Sequence, residues 1–319
     1  MPALAEKLIA ARTNARTVID RIAGLVHPRD GHRKILAMIE GYIDETGIHE
    51  GAKVCVVCGF FGGKGQWRKF ERDWRAALDK HNVPLEKFHA LNLVGRDGKR
   101  HGFFHGWTDQ QFNALMGDLA AAITSYKISP VTHAIVIADF DSFPLIHRRF
   151  FTGAEIRGGR IVNSGCPNKP YFAPFMNCIK RIASYAPVGG KAHFFFGLDR
   201  PFGKYAAALY KILKTGPTLT SVAFRERLGD IAFPLAKETP QLQAADLLAY
   251  LTTQHVEERL AAGNFNSPPY GWLKQCLVRT HVHADHSIIE RASRAETIRL
   301  THEYSGDWEG PEDEKDLPE

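Results

Sequence analysis

Short apolar runs that end in acid recur along this chain, with helical patterns between them. Met38 to Gly47 (MIEGYIDETG) reads as a strand through Ile39, Tyr42 and Ile43, and Thr46-Gly47 stops it just past Asp44 and Glu45. Val54 to Phe61 is a second apolar run, close enough to Gly47 to form a hairpin or a near neighbour. Trp67, Phe70, Trp74, Ala77 and Leu78 then recur at helical spacing between Gln66 and Lys80. A short segment starts at Phe88-His89-Ala90, and a basic, glycine-rich loop, Gly95 to Gly106, leads to a helix from Thr108, its N-cap, to about Tyr126. Val131 to Phe140 reads as a buried strand whose acids Asp139 and Asp141 share a face by period two. A helix over Tyr171 to Tyr185 precedes the apolar strand Ala192 to Leu198, which ends in Asp199. A helix over Gly203 to Lys214, a strand over Ile231 to Leu235 and a long helix opened by Thr239 and Pro240 follow.

On that last helix Asp246 is in register with Leu242, Ala249 and Tyr250, inside the apolar stripe. A carboxylate committed to a core face needs a compensating cation, metal or water. Asp44 at a strand end faces the same demand, although a turn-initiating Asp is the bland alternative. Glu45 points to the other face unless the chain bends after Asp44. Strands alternating with helices imply a largely parallel sheet covered on both faces, which binds ligands beyond the carboxyl ends of its strands. Asp44, Asp139 and Asp199 would all stand at that edge. With the Asp246 helix packed across it, their mutual repulsion calls for a divalent cation, and hard oxygen ligands select Mg²⁺ or Mn²⁺.

The chain has 319 residues, 44% of them hydrophobic, which is enough for a large core and excludes a disordered protein. Its formal charge is +6, but residues 307–319 hold seven acids against Lys315, a net of −6, which leaves +12 on the rest. A body that basic fits a polyanionic partner. Arg148, Arg149, Arg157 and Arg160, set among Phe150 and Phe151, have the mixture that meets phosphate and bases; a surface loop with no ligand reads equally well. Five cysteines cannot all pair within one chain, and no apolar run is long enough to span a bilayer, so a cytoplasmic protein is expected. Cys55 and Cys58 look like a redox pair, yet their odd spacing on a strand points them to opposite faces of the core. FGGKGQ lacks the Ser or Thr that a phosphate loop needs after its lysine.

Taken together, YIDETG (Tyr42 to Gly47), GQWRKFERDWRAAL (Gly65 to Leu78), FHALNL (Phe88 to Leu93), FFFGLD (Phe194 to Asp199) and LQAADLLAY (Leu242 to Tyr250) resemble the domain of unknown function family 3800. That family is similar to the ribonuclease H-like superfamily. The resemblance runs in order from about Met38 to Val256, with Thr46 where the family commonly shows Ser. It implies an α/β fold: a ribonuclease H-like mixed sheet flanked by helices over residues 38–260. Residues 1–37 would be a helical extension, or an over-extended start with Met38 as the first residue. Residues 261–303 would be a strand-helix addition, and 304–319 a disordered acidic tail. It also implies a metal-dependent nuclease whose two Mg²⁺ or Mn²⁺ ions, about 3.5 to 4 Å apart, are bridged by carboxylates and cleave phosphodiesters of DNA or RNA. On this reading Asp44, Asp199 and Asp246 are metal ligands and Glu45 an additional acid. Gln243 orients a ligand or water, His89 and Asp139 support the site, and the four arginines hold the substrate.

Two rivals stand beside it. The same fold can serve as a non-catalytic module that binds nucleic acid or protein. His281-Val-His283-Ala-Asp285-His286 also fits the HxHxDH pattern of metallo-β-lactamase-type hydrolases, although only His302 and an acidic tail follow where that fold takes further ligands.

Overall fold

The structure, a computed structural model, describes residues 38–277 apart from 96, 127, 158–159, 164–167, 198–199, 216–221 and 264–270. Asp199, the segment before Met38, the His281–His286 pattern, His302 and the acidic tail lie outside the described residues. The strands are β1 (Ile39–Thr46), β2 (Val54–Gly63), β3 (Ser129–Val136), β4 (Glu155–Arg157), β5 (Arg160–Asn163), β6 (Ala192–Phe196) and β7 (Leu228–Ala232). The helices of the first half are α1 (Lys64–Lys80), α2 (Ala90–Val94), α3 (Asp109–Thr124), α4 (Ile137–Asp141) and α5 (Leu145–Phe151). Those of the second half are α6 (Phe172–Ser184), α7 (Arg200–Thr215), α8 (Val222–Glu226), α9 (Pro240–Ala262) and α10 (Gly271–Leu277). The described start of the expected C-terminal addition is thus helical.

The main sheet has the order β3-β2-β1-β6-β7, and β4 and β5 form a separate two-stranded ribbon. β2 runs antiparallel to both β1 and β3, whereas β6 runs parallel to β1 and to β7. The sheet is therefore mixed and flanked by helices, as the resemblance implies, and the largely parallel sheet read from the alternation of elements is corrected at β2. The cause is the short connection after Thr46, turned by Gly47 at φ 77°; so short a link returns the chain as a hairpin, while a parallel crossover needs a dozen residues or more.

Alternation along the strands divides the core in two. Tyr42, Val56, Cys58 and Phe60 join α1, α3 and α9 on one face; Ile43, Cys55, Val57 and Phe194 join α6 and α7 on the other. Cys55 and Cys58 thus stand on opposite faces, and among the described residues all four cysteines are buried and free. Thr108 caps α3 as expected, accepting from the Gln111 amide while the Gln111 side chain answers to the Thr108 backbone. Thr239 does not cap α9: its hydroxyl donates to the Leu235 carbonyl, and Pro240 starts the helix.

The strand expected through Phe140 ends at Val136. Ile137 N–H donates to the Lys53 carbonyl, the last rung that β2 offers, and the chain then turns into α4. Asp139 and Asp141 therefore lie on one short helix rather than on one strand face. β7 likewise begins three residues earlier than its apolar run, because its register is set by Ala192 pairing with Leu228. Among the described residues no helix is long and apolar enough to cross a membrane.

Candidate active site

β1, β6 and β7 point the same way, and β3 joins them through two antiparallel pairings, so their carboxyl ends share one edge. An open cleft of about 890 Å³ lies there, lined by Asp44, Glu45, His89, Gly197, Gln243 and Asp246 among others. Asp44 follows Tyr42 by one strand period and so looks to the face that α9 covers. α9 can come close because Ala244, Ala245 and Ala249 are buried against the sheet, with the Ala245 carbonyl 4.0 Å from Cys58 Sγ. Cys58 is the strand partner of Asp44. Along α9 every residue from Pro240 to Thr253 is buried except Asp246, which keeps part of its surface open to the cleft. The stripe that carries Asp246 thus belongs to a stretch of helix, Pro240 to Thr253, that is buried all round with one opening at the acid.

Gly197, just past β6, forms the wall behind Asp44. Its N–H donates to the Ile43 carbonyl at 3.1 Å, and a Cβ built on it would stand 2.5 Å from Asp44 Oδ1. Only glycine leaves room for that carboxylate. Asp246 Oδ2 accepts the Ala90 N–H at 2.8 Å, at the start of α2, and faces His89 Nδ1 at 3.4 Å. The same Nδ1 lies 3.3 Å from the Leu91 N–H. It can serve only one of them: without a proton it caps α2, and with one it donates to Asp246.

Burial holds the Asp44 carboxyl well above the usual carboxylate range, and the charges of Glu45 and Asp246 push it further. The Glu45 backbone N–H and His89 oppose the shift. His89 is raised, first by its hydrogen bond to Asp246, against the effect of burial. Within the described residues the charges that burden Asp44 are opposed only by the Glu45 N–H and His89.

The expected residues do not all gather here. Asp44, Glu45, His89, Gln243 and Asp246 line the cleft; Asp139, Arg148 and Arg149 do not. The Gln243 amide is held elsewhere: its oxygen accepts Trp74 Nε1–H at 3.0 Å and its nitrogen donates to the Leu85 carbonyl at 2.7 Å. It braces α9 against α1 and the loop before α2, a structural part that the sequence reading, which expected it to orient a ligand or water, did not assign. Arg148 reaches Asp141 at 3.9 Å on the far stretch of chain, and Arg157 and Arg160 pair across β4 and β5. Sequence reading missed Gly197, Glu86, Lys87, Asn92, Phe103 and Lys237, all of which line the cleft. A basic residue in KFHALN and another in AKETPQ, flanking the two motif helices, were the available signals.

Among the described residues no group of three or more His, Cys, Asp or Glu side chains stands close enough to hold a metal ion. Asp44 and Asp246 supply two hard donors that repel one another, and that donor chemistry fits Mg²⁺ or Mn²⁺.

No protein-family model matches the chain, and no curated protein matches it. Among solved structures the chain is similar to Bst-RNase HIII, solved in complex with Mn²⁺, at 11% identity over 85% of this chain and 72% of that one, with a TM-score of 0.33. At that similarity the fold stands on the strand order of the chain's own sheet.

Proposed function

We propose that the chain is a metal-dependent nuclease of family 3800 and that this cleft hydrolyses phosphodiester bonds of nucleic acid. The observation that carries the reading is the meeting of Asp44, from the central strand, with Asp246, at the one opening of a buried helix, close enough that the charge of Asp246 raises the proton affinity of Asp44. Asp44 and Asp246 would hold the cation, with Asp199 as the further ligand that the resemblance implies. A bound divalent ion lowers the pKa of water and offsets phosphate charge. The chain's own residues do the rest. The Ala90 N–H and His89 fix one oxygen of Asp246, and Gly197 leaves space for the Asp44 carboxylate. Lys87 and Lys237 line the same cleft and can draw a phosphate toward the acids. Among the described residues neither a Ser nor a Cys lines it.

The test is a screen of the purified protein against DNA and RNA, each in Mg²⁺, in Mn²⁺ and in chelator, beside Asp44→Asn and Asp246→Asn. Cleavage that needs the ion and is lost in both variants is expected. Cleavage that survives in both would overturn the reading.

A further inference from the structure

The glycine-rich loop before α3 is basic in sequence but not in its contribution to the cleft. What it places there is an aromatic ring. Phe103 is 39% exposed, whereas most aromatic rings among the described residues are enclosed, and it lines the same cleft as Asp44 and Asp246. It stands on a short 3₁₀ turn, Gly102–Phe104, that is fixed from below. Phe104 is fully buried, Gly102 takes φ 56°, a conformation that suits glycine, and the His101 N–H donates to the Asn92 carbonyl at 2.7 Å. Arg100 ties the rest of the loop down, donating to the Trp107 carbonyl at 3.0 Å while lying over the Phe112 ring. Phe103 meets Phe104 and Trp107 at steep angles, edge to face. The ring rests edge to face on Phe104 and Trp107 yet keeps 39% of its surface open, in a cleft lined mostly by charged and polar groups, with Ile48, Phe88 and Ala236 as its other apolar side chains.

Lys87 and Lys237 supply the second observation. Both line the cleft, and among the described residues neither ammonium group is paired with a carboxylate. Two cations and an aromatic ring, in a cleft that also holds the four acids Asp44, Glu45, Glu86 and Asp246, match a nucleotide chain: phosphate on the lysines, a base on the ring. In a duplex the faces of the bases are covered by their neighbours, so a ring in a cleft wall can be used only by a base that is out of the stack.

We infer that the substrate is single-stranded polynucleotide, with Phe103 stacking one base next to the acids and Lys87 and Lys237 holding the adjoining backbone. The inference rests on the nuclease reading for the identity of the polymer but is tested by binding alone. The full chain is titrated against a fluorescent oligonucleotide, single-stranded or annealed to its complement, by anisotropy in Ca²⁺ and again in chelator. Single strand should bind at least tenfold tighter than duplex. Phe103→Ala should weaken single-strand binding roughly 5- to 150-fold, the range for one stacked base, and leave duplex binding unchanged. Phe103→Trp should keep it, whereas Phe103→Leu, apolar but without a π face, should lose it. The paired change Lys87→Gln, Lys237→Gln should reduce the salt slope by about 1.4, from about 0.7 per phosphate contact on a single strand. Equal affinity for strand and duplex, full binding by Phe103→Leu, or no binding at all would each overturn the inference. Tight, Phe103-dependent binding without cleavage in Mn²⁺ would sink the nuclease reading and leave this one standing; cleavage with a preference for duplex would do the reverse.

Discussion

Asp44 and Gly197 make a pair in which one residue matters by what it lacks. A Cβ at position 197 would meet Asp44 Oδ1 at 2.5 Å and Cγ at 3.3 Å, so alanine there must push the carboxylate aside. The backbone at Gly197 does not need the left-handed region, so the fold should accept the change, with a melting temperature within a few degrees of wild type. Cleavage should fall on the order of a hundredfold, since misplacing a reacting group by an ångström costs about that much. A Gly197→Ala protein that cleaves at the wild-type rate would show that Asp44 is not held by this wall. Gln243 should behave the opposite way. Its change to Leu leaves the buried Trp74 indole N–H without a partner, at a cost of roughly 1–3 kcal/mol, while the Leu85 carbonyl keeps the Phe88 N–H; urea unfolding would measure the loss. The two acids were legible in the sequence because a carboxylate in an apolar setting breaks a pattern. Gly197 was not, because an absent side chain breaks none, and Lys87 and Lys237 were not, because lysine on a connecting segment is what solvent alone would select.

At the scale of elements, periodicity located the five strands of the main sheet and the long helices but not the β4–β5 ribbon or the short helices α4, α5, α8 and α10, and its errors within the main sheet fall where a partner decides the outcome. β3 stops when β2 runs out of rungs, and nothing within Val131 to Phe140 announces that. β2 reverses direction because of a loop too short to cross over, so the parallel reading failed at one strand while the faces of Cys55 and Cys58 came out right. α9 reads as amphipathic, yet from Pro240 to Thr253 every residue but Asp246 is buried, because α1 and the turn before α2 cover the face that sequence would leave wet. The packing of β3 against α6 leads to a prediction of its own. His133, buried on β3 opposite Val57, is held neutral, its pKa lowered to about 4 by burial and then by the charge of Arg181 on α6. A folded-state pKa below the unfolded value of about 6.5 means that the unfolded chain binds the extra proton. The stabilisation is fully present above pH 6.5 and is lost as pH falls toward 4, by an amount on the order of 3 kcal/mol. Denaturant unfolding between pH 7 and 4 should show that loss, and His133→Gln should flatten this part of the profile. An unchanged slope in the variant would place the titration elsewhere.

For the whole molecule, the question is what the acid edge does to the stability of the fold. Asp44 is enclosed near Glu45 and Asp246, and each ionised neighbour makes its own ionisation harder. Without a cation the native state therefore contains repulsion that the unfolded chain does not. Asp246→Asn keeps the shape and an oxygen for the Ala90 N–H, and removes one charge; the lost attraction to His89 counts for little, because that ring is 58% exposed. In chelator this variant should melt higher than wild type. Mn²⁺ should raise the wild type by several degrees, since an ion that binds only the native state at a hundred times its dissociation constant adds about 2.7 kcal/mol. The variant should lose most of that gain, and cleavage with it. Thermal unfolding of both proteins in chelator and across a Mn²⁺ titration measures the two effects separately. A variant that melts lower in chelator would show that the pairing with His89 and Ala90 outweighs the repulsion, so the acids are balanced without metal. One that keeps the full gain from Mn²⁺ would remove Asp246 from the site, leaving the opening in the buried helix without a chemical reason.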